Sequence, residues 1–194
     1  LMGMSYEEGS EWYYHQQQQP INVAWSNKSP LLRAAIQCWA ETEGALEHPK
    51  MMQVRPYALI YRDTAAGWIC IEVGEQSFYS KWWGWANARS SVGRSLNQFP
   101  FGPELARVMD VPLREVQTTR GMRIDQVVTK VPRTVGGQPE HLAFERLLLG
   151  CQMPDDSFAL MVVVDRPDMI RVKGLTQSAL EEMSDDIFVD FSKN

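Results

Sequence analysis

The sequence lacks the features that define several large classes of protein. Only three of its 194 residues are cysteines, Cys38, Cys70 and Cys151, and no two of them form a CxxC pair. An odd number of widely spaced cysteines argues against a disulfide scaffold and predicts buried, reduced and inert thiols. No run approaches the roughly 18 apolar residues of a membrane-spanning helix, so we expect no membrane association.

The chain also carries no excess of positive charge. Its 19 basic and 24 acidic residues leave a net charge of −5. Because proteins that bind nucleic acid across a whole surface are usually basic, we expect no nucleic-acid partner. The first residues lack the basic and apolar regions of a signal peptide, and we therefore expect a cytoplasmic protein.

Metal-binding and catalytic groups are sparse. None of the three histidines, His15, His48 and His141, has another histidine or a cysteine three or four residues away, the spacing that a compact metal site favours. We expect surface histidines and assign no metal ligand and no catalytic residue. The sequence identifies no cofactor.

What the chain does have is an ordinary globular composition. Hydrophobic residues make up 44% and charged residues 22%. Folding a chain of this mass reduces its accessible surface from about 32,000 Å² to about 9,000 Å². A core of that size needs neither disulfides nor metal, and one domain with extensions is predicted.

The first half of the chain predicts a helix followed by a hairpin. Ser29 is a good N-cap and Pro30 fits the first helical position, so we predict a helix over residues 30–46. Residues 57–62 and 68–73 are rich in β-formers and are separated by a short loop that ends in glycine. They predict an antiparallel pair of strands.

The second half predicts short helices and then more strands. Prolines cut the segment between residues 75 and 120, so we predict several short helices, with Pro112 opening a separate one. Three further strands are predicted over residues 122–131, 142–149 and 158–165. An amphipathic helix over residues 176–183 precedes an acidic tail. This order predicts an α+β fold with one antiparallel sheet.

Four segments carry a resemblance to a known family. The second strand, residues 68–74, ends in glycine, and a segment with a glycine, residues 82–85, follows it. Residues 91–96 form a Gly-Arg-Ser turn, and the late strand 144–150 places Glu-Arg before a Leu-Leu-Leu run. Their order resembles the PAS sensor fold, and within it the stand-alone single-PAS bacterial proteins. The unusually Trp-rich segment, the long N-terminal entry and the acidic C-terminus depart from that pattern.

The resemblance implies a five-stranded antiparallel sheet with a helical crossover between its second and third strands, plus an N-terminal helix and a C-terminal helix and tail. Residues 1–28 are then an N-terminal extension, 29–53 the helix and linker, 54–167 the PAS-like domain, and 168–194 the C-terminal helix and acidic tail. It implies a non-enzymatic sensory or regulatory protein, expected as a homodimer, that binds a small hydrophobic or aromatic ligand and signals through protein contacts.

The ligand would lie between the sheet and the crossover helices. The residues predicted to line that space are apolar side chains on the bordering segments, with one arginine as the polar contact. They are Trp83, Phe99, Met109, Val116, Phe144, Leu148, Met161 and Arg94. The simpler alternative is that the tryptophans and their neighbours only pack the core or an interface.

Two other functions stay open. A small cavity enzyme would need an acid–base pair such as Glu145 with His141, which lie four residues apart and share one side of a strand. A ligand-free interaction module would instead use the terminal segments.

Glu145 and Arg146 are strand neighbours on opposite faces, so whichever points toward the helices is salt-bridged or binds a polar ligand group.

Overall fold

The computed structural model describes residues 3–8, 12–96, 102–132 and 136–167, together with the single residues Ser178, Glu181, Met183, Phe188 and Phe191. In this part of the chain the fold is α+β, as predicted, with helices on both faces of one antiparallel sheet. None of the helices described is long and apolar enough to cross a membrane.

The sheet has seven strands. In chain order they are β1 (Gly3–Glu8), β2 (Trp12–Gln18), β3 (Ala58–Thr64), β4 (Gly67–Val73), β5 (Met122–Pro132), β6 (Pro139–Gln152) and β7 (Phe158–Asp165). Across the sheet they lie in the order β1-β2-β5-β6-β7-β3-β4. All neighbouring strands are antiparallel, and β6 is the longest and lies in the middle.

Five α-helices accompany the sheet in the described part of the chain. They are α1 (Ile21–Trp25), α2 (Pro30–Glu41), α3 (Phe78–Trp83), α4 (Trp85–Arg89) and α5 (Gly102–Thr119). Two short 3₁₀ helices, Pro49–Gln53 and Arg55–Tyr57, lead into β3. Along the chain, helices α3 to α5 therefore follow the hairpin β3–β4 and precede the three strands β5 to β7.

The two faces of the sheet bury separate cores because side chains alternate along each strand. On β6, Phe144 and Leu148 pack with residues of α3 and α5. Leu147 and Leu149 point the other way and pack under α2. The central strands β6 and β7 are thus buried on both sides, and the nearly continuous apolar run of β7 is typical of such a strand.

Helix α2 begins as predicted and ends earlier. The Ser29 side chain accepts a hydrogen bond from Leu32 N at 3.0 Å, and Pro30 occupies the first turn. The helix ends at Glu41 rather than at residue 46, because Glu43 and Gly44 have φ angles of +54° and +75°. That left-handed backbone cannot continue a right-handed helix.

The N-terminal segment adds two strands to the sheet. β2 pairs along β5, with Tyr14 opposite Thr129 and Gln16 opposite Val127, and β1 then pairs with β2. The sheet has seven strands where five were expected, because the aromatic β2 continues the sheet at the edge of β5. The predicted helix over residues 176–183 lies almost wholly outside the described residues.

Helix α5 corrects the prediction that Pro112 opens a separate helix. Pro112 lies inside a single 18-residue helix, although proline has no N–H to donate to the carbonyl four residues earlier. That carbonyl belongs to Val108, and it accepts a hydrogen bond from Gln16 Nε2 of β2 at 2.9 Å. The buried apolar stripe of Leu105, Val108 and Leu113 holds the helix on the sheet across the proline.

Because the Gln16 side chain replaces a helical hydrogen bond at Val108, the effects of substitutions at Gln16 and Pro112 on stability should be coupled. Gln16→Ala leaves the Val108 carbonyl without its donor and should lower the free energy of unfolding by about 2 kcal/mol. In a Pro112→Ala background, the backbone N–H gained at that position can donate to the same carbonyl, so the Gln16→Ala cost should fall by about 1 kcal/mol. Urea unfolding of the four proteins measures this coupling. An equal cost in both backgrounds would contradict it.

Candidate functional site

An aromatic cluster lies between the sheet and α3. The Phe78 ring is stacked on Trp82 at 6.2 Å between centroids and lies 5.4 Å from Phe144 of β6. Phe188, from the C-terminal segment, stacks on the same Phe78 ring at 5.4 Å. Aromatic surfaces from a helix, a strand and the C-terminal segment therefore meet at one place on this face.

Two half-buried aromatic residues border the cluster. Tyr79 and Trp83 lie one helical turn apart on α3, with ring centroids 5.5 Å apart, and both pack against the buried core. Helix α3 has only six residues, begins at the N-cap Ser77 and ends at Gly84, whose φ of +80° separates it from α4. Phe78 and Trp82 of this short helix are buried, whereas Tyr79 and Trp83 are half-buried.

A buried arginine lies beside these aromatic residues. Arg146 of β6 is only 4% exposed. Its Nη1 donates to Tyr14 Oη at 3.0 Å, and its Nη2 donates to Gln16 Oε1 at 3.1 Å and to Asp125 Oδ2 at 3.3 Å. Since Gln16 also bonds Val108 of α5, the guanidinium is connected to β2, β5 and α5 together.

Asp125 is shared between two arginines. The carboxylate is fully buried, and Arg123 approaches it from the same strand with Nε 3.0 Å from each oxygen and Nη2 2.8 Å from Oδ1. Arg123 also bonds Glu115 of α5, a residue that is 42% exposed. Arg123 therefore has the closer contacts, and Arg146 has a single longer contact to the shared carboxylate.

The surroundings of Arg146 keep it charged. Burial alone would lower its pKa, but Tyr14 and Asp125 oppose that effect and the pKa of Arg146 is raised on balance. Burial raises the pKa of Tyr14, Tyr61 and Tyr79, and Arg146 opposes the rise in each. At neutral pH the Arg146 guanidinium is thus charged, and the three tyrosines around it are neutral.

One N–H donor of the Arg146 guanidinium, Nε, makes no hydrogen bond to a described residue. In the described part of the chain, Arg146 Nε is buried and has no hydrogen-bond partner. A buried polar atom without a partner is uncommon and destabilises the protein that holds it. This is the feature of the site that packing alone does not explain.

The structure brings five of the eight predicted lining residues to this face. Val116, Phe144 and Leu148 are buried in the core beneath α3 and α5. Trp83 and Met109 are half-buried and pack against the same core.

Two of the other three predicted residues do not join them. Met161 lies on the opposite face under α2, because it pairs with Leu149 and shares that residue's side of the sheet. Arg94 is exposed, since the turn that carries it bonds the β4 backbone through its own main chain at Cys70. Phe99 lies outside the described residues.

The sequence patterns did not identify the polar side chains of the site, Arg146, Tyr14 and Gln16. They indicated that either Glu145 or Arg146 must face the helices, and the structure buries both, on opposite sides. The useful signal was the arginine directly before the Leu-Leu-Leu run. The aromatic residues of the N-terminal extension, Tyr14 among them, indicate that it docks on the domain or on a partner subunit, but nothing local indicates that it pairs with β5. Gln16 gave no signal.

The acid–base pair that a cavity enzyme would need is not formed. His141 is exposed and bonds Tyr13 Oη through Nδ1 at 3.0 Å. Glu145 is buried further along the strand and accepts from Asn27 on the α2 face. The two side chains therefore do not share a pocket.

The thiols are buried and weakly nucleophilic, as predicted. All three cysteines are free and buried. Burial raises the pKa of Cys70 to about 11 and that of Cys151 to about 12, so both are protonated at neutral pH. Within the described residues, no group of three or more histidine, cysteine or acidic side chains is arranged to hold a metal.

A separate groove lies on the outer side of α1 and α2. It has a volume of about 290 Å³ and is lined by Ala24, Trp25, Arg33, Ile36, Gln37, Ala40 and Glu41. Trp25 is 54% exposed and its neighbour Ile21 is 56% exposed. Two large apolar side chains are thus presented to solvent beside this groove.

No protein-family model, curated protein or solved structure matches this chain. The basis for a functional proposal is therefore the chain's own geometry.

The shared carboxylate provides a test of the polar network. Asp125→Asn removes the buried anion that two buried guanidinium groups share and should lower the free energy of unfolding by about 3 kcal/mol. Asp155→Asn is the matched control, because Asp155 is 66% exposed and lies 3.9 Å from Arg62, and it should cost less than about 1 kcal/mol. Denaturant unfolding compares the two, and equal costs would show that the buried pairing is unimportant.

Proposed function

We propose that the protein is a non-enzymatic, PAS-like sensory or regulatory module that binds a small hydrophobic or aromatic ligand between the sheet and helices α3 and α5. The order of elements supports this proposal. From β3 onward the chain forms two antiparallel strands, a helical crossover and three further antiparallel strands. The seven-stranded sheet adds β1 and β2 to that five-stranded arrangement.

The observation that carries the proposal is the unused Nε of Arg146 beside the aromatic cluster. A binding site for a small molecule combines much apolar surface with a few polar groups that orient the ligand. Here Phe78, Phe144 and Trp83 supply the apolar surface, and Arg146 supplies a polar group that no described residue satisfies. We expect a ligand to enter beside Trp83 and Tyr79, which are half-buried and border the cluster.

The C-terminal segment gives the proposed route to a signal. Phe188 stacks on Phe78, and Met183 Sδ accepts a hydrogen bond from Ala143 N at 3.2 Å. A ligand that binds against Phe78 changes the surface on which Phe188 packs. If Phe188 and Met183 have two packings that differ in affinity for the ligand, binding shifts the populations of the two packings. That shift would alter the surface offered to a partner protein.

Removal of Trp83 tests the binding site directly. Trp83→Ala should weaken binding of the neutral fluorophore N-phenyl-1-naphthylamine by at least about tenfold, because a large apolar contact is lost. The variant should remain folded, since Trp83 is only half-buried. Trp85→Ala is the control, because Trp85 is 38% exposed on α4, and it should leave the affinity unchanged. Fluorescence titration and thermal melting measure both properties.

Two results would overturn this proposal. If Trp83→Ala unfolds outright, Trp83 is a core residue and the binding site loses its main apolar wall. If the wild-type protein does not bind the fluorophore, or binds it equally well without Trp83, the space between the sheet and α3 is not the binding site.

A ligand-free interaction module is the second candidate function. The exposed Ile21 and Trp25 beside the groove favour it, because apolar surface of this kind is often covered by a partner. A second copy of the chain is the occupant that fits the expected homodimer. Sedimentation velocity should then show a dimer for the wild-type protein and a monomer for Trp25→Ser. A monomeric wild-type protein would rule this interface out.

A further inference from the structure

The two buried arginines of the site differ in one respect. Arg123 and Arg146 are 5% and 4% exposed, lie on neighbouring strands and share Asp125. The Nε of Arg123 is bonded to both oxygens of that carboxylate. The Nε of Arg146 has no partner among the described residues. Among the described residues, the Nε donor therefore has acceptors in Arg123 and none in Arg146.

The charges around them are also divided unequally. Arg123 has three contacts of 3.0 Å or less to Asp125 and a further bond to Glu115. Arg146 has one contact to Asp125, at 3.3 Å, and its other acceptors, Tyr14 and Gln16, are neutral. Arg123 thus has two anionic partners, whereas Arg146 has only the longer contact to the carboxylate that the two arginines share.

The position of the open donor is suitable for a ligand. Arg146 lies on the sheet face that is covered by α3 and α5, next to the aromatic cluster. Tyr79 of α3 lies within electrostatic reach of the guanidinium and is itself half-buried. Because Nε itself is buried, a ligand could reach it only if side chains that cover this face moved.

We propose that the ligand of this site is a monoanion, a carboxylate attached to an apolar or aromatic body, with one carboxylate oxygen accepting from Arg146 Nε. This inference rests on the proposed function and specifies its ligand class. Arginine is well suited to carboxylates, because its charged donors form stronger bonds than neutral donors do. A singly charged carboxylate would be repelled less by the buried Asp125 than a dianionic phosphate would.

The inference is tested with acid and amide pairs of the same shape. The probes are 3-phenylpropanoate with 3-phenylpropanamide, and octanoate with octanamide. The wild-type protein should bind each acid at least about tenfold more tightly than its amide, as a charge-assisted bond predicts. Isothermal titration at neutral pH gives the affinities, and the thermal shift of the protein gives an independent readout.

Matched arginine variants locate the binding. In Arg146→Met the preference for acid over amide should disappear. In Arg123→Met it should persist, although that variant also loses a buried guanidinium and its bonds to Asp125. If Arg146→Met does not fold, Arg146→Lys serves instead, because lysine keeps the positive charge but has no donor at the Nε position.

The outcomes separate this inference from the proposed function. Equal binding of acid and amide by the wild-type protein would overturn the anionic ligand and leave the binding site standing. A preference for acid that persists without Arg146 would overturn the role of Nε. Failure of the wild-type protein to bind any of the four probes or the neutral fluorophore would overturn both proposals.

Discussion

The buried charge of Arg146 constrains the surrounding structure. A guanidinium removed from water must be paired and hydrogen-bonded, or the fold loses several kcal/mol. Its acceptors come from β2 and β5, and one of them, Gln16, also bonds the Val108 carbonyl that Pro112 leaves without a helical donor. The N-terminal strand, the long crossover helix and the middle of the sheet are therefore held in one arrangement by a single hydrogen-bonded network.

The elements that follow local rules could be predicted from the sequence. The N-cap Ser29 with Pro30 identified the start of α2, and the alternation along the hairpin identified β3 and β4. The errors arose where a distant residue decides the outcome. Pro112 stays inside a helix because Gln16, far away in the N-terminal strand, replaces the missing bond, and β2 forms because β5 offers an edge.

In the candidate site too, local sequence patterns predicted some residues and missed those that depend on distant contacts. Apolar size on the bordering segments was enough to select Val116, Phe144 and Leu148. It was not enough for Met161, because one residue of register decides which face a strand residue occupies. The sequence indicated that either Arg146 or Glu145 faces the helices. It did not indicate that Arg146 has an N–H donor without a partner, because this depends on how two arginines share Asp125. Hydrogen-bond satisfaction is a tertiary property that sequence spacing does not encode.

The measurement that tests the central claim most directly is the ¹H–¹⁵N spectrum of the arginine Nε–Hε groups during a titration with 3-phenylpropanoate. The signals of Arg123 and Arg146 are assigned from the single substitutions Arg123→Lys and Arg146→Lys. We expect the Arg146 signal to move as the carboxylate binds and the Arg123 signal to stay, because Arg123 Nε is already bonded to Asp125. Movement of Arg123 alone, or binding with neither signal moving, would contradict the account.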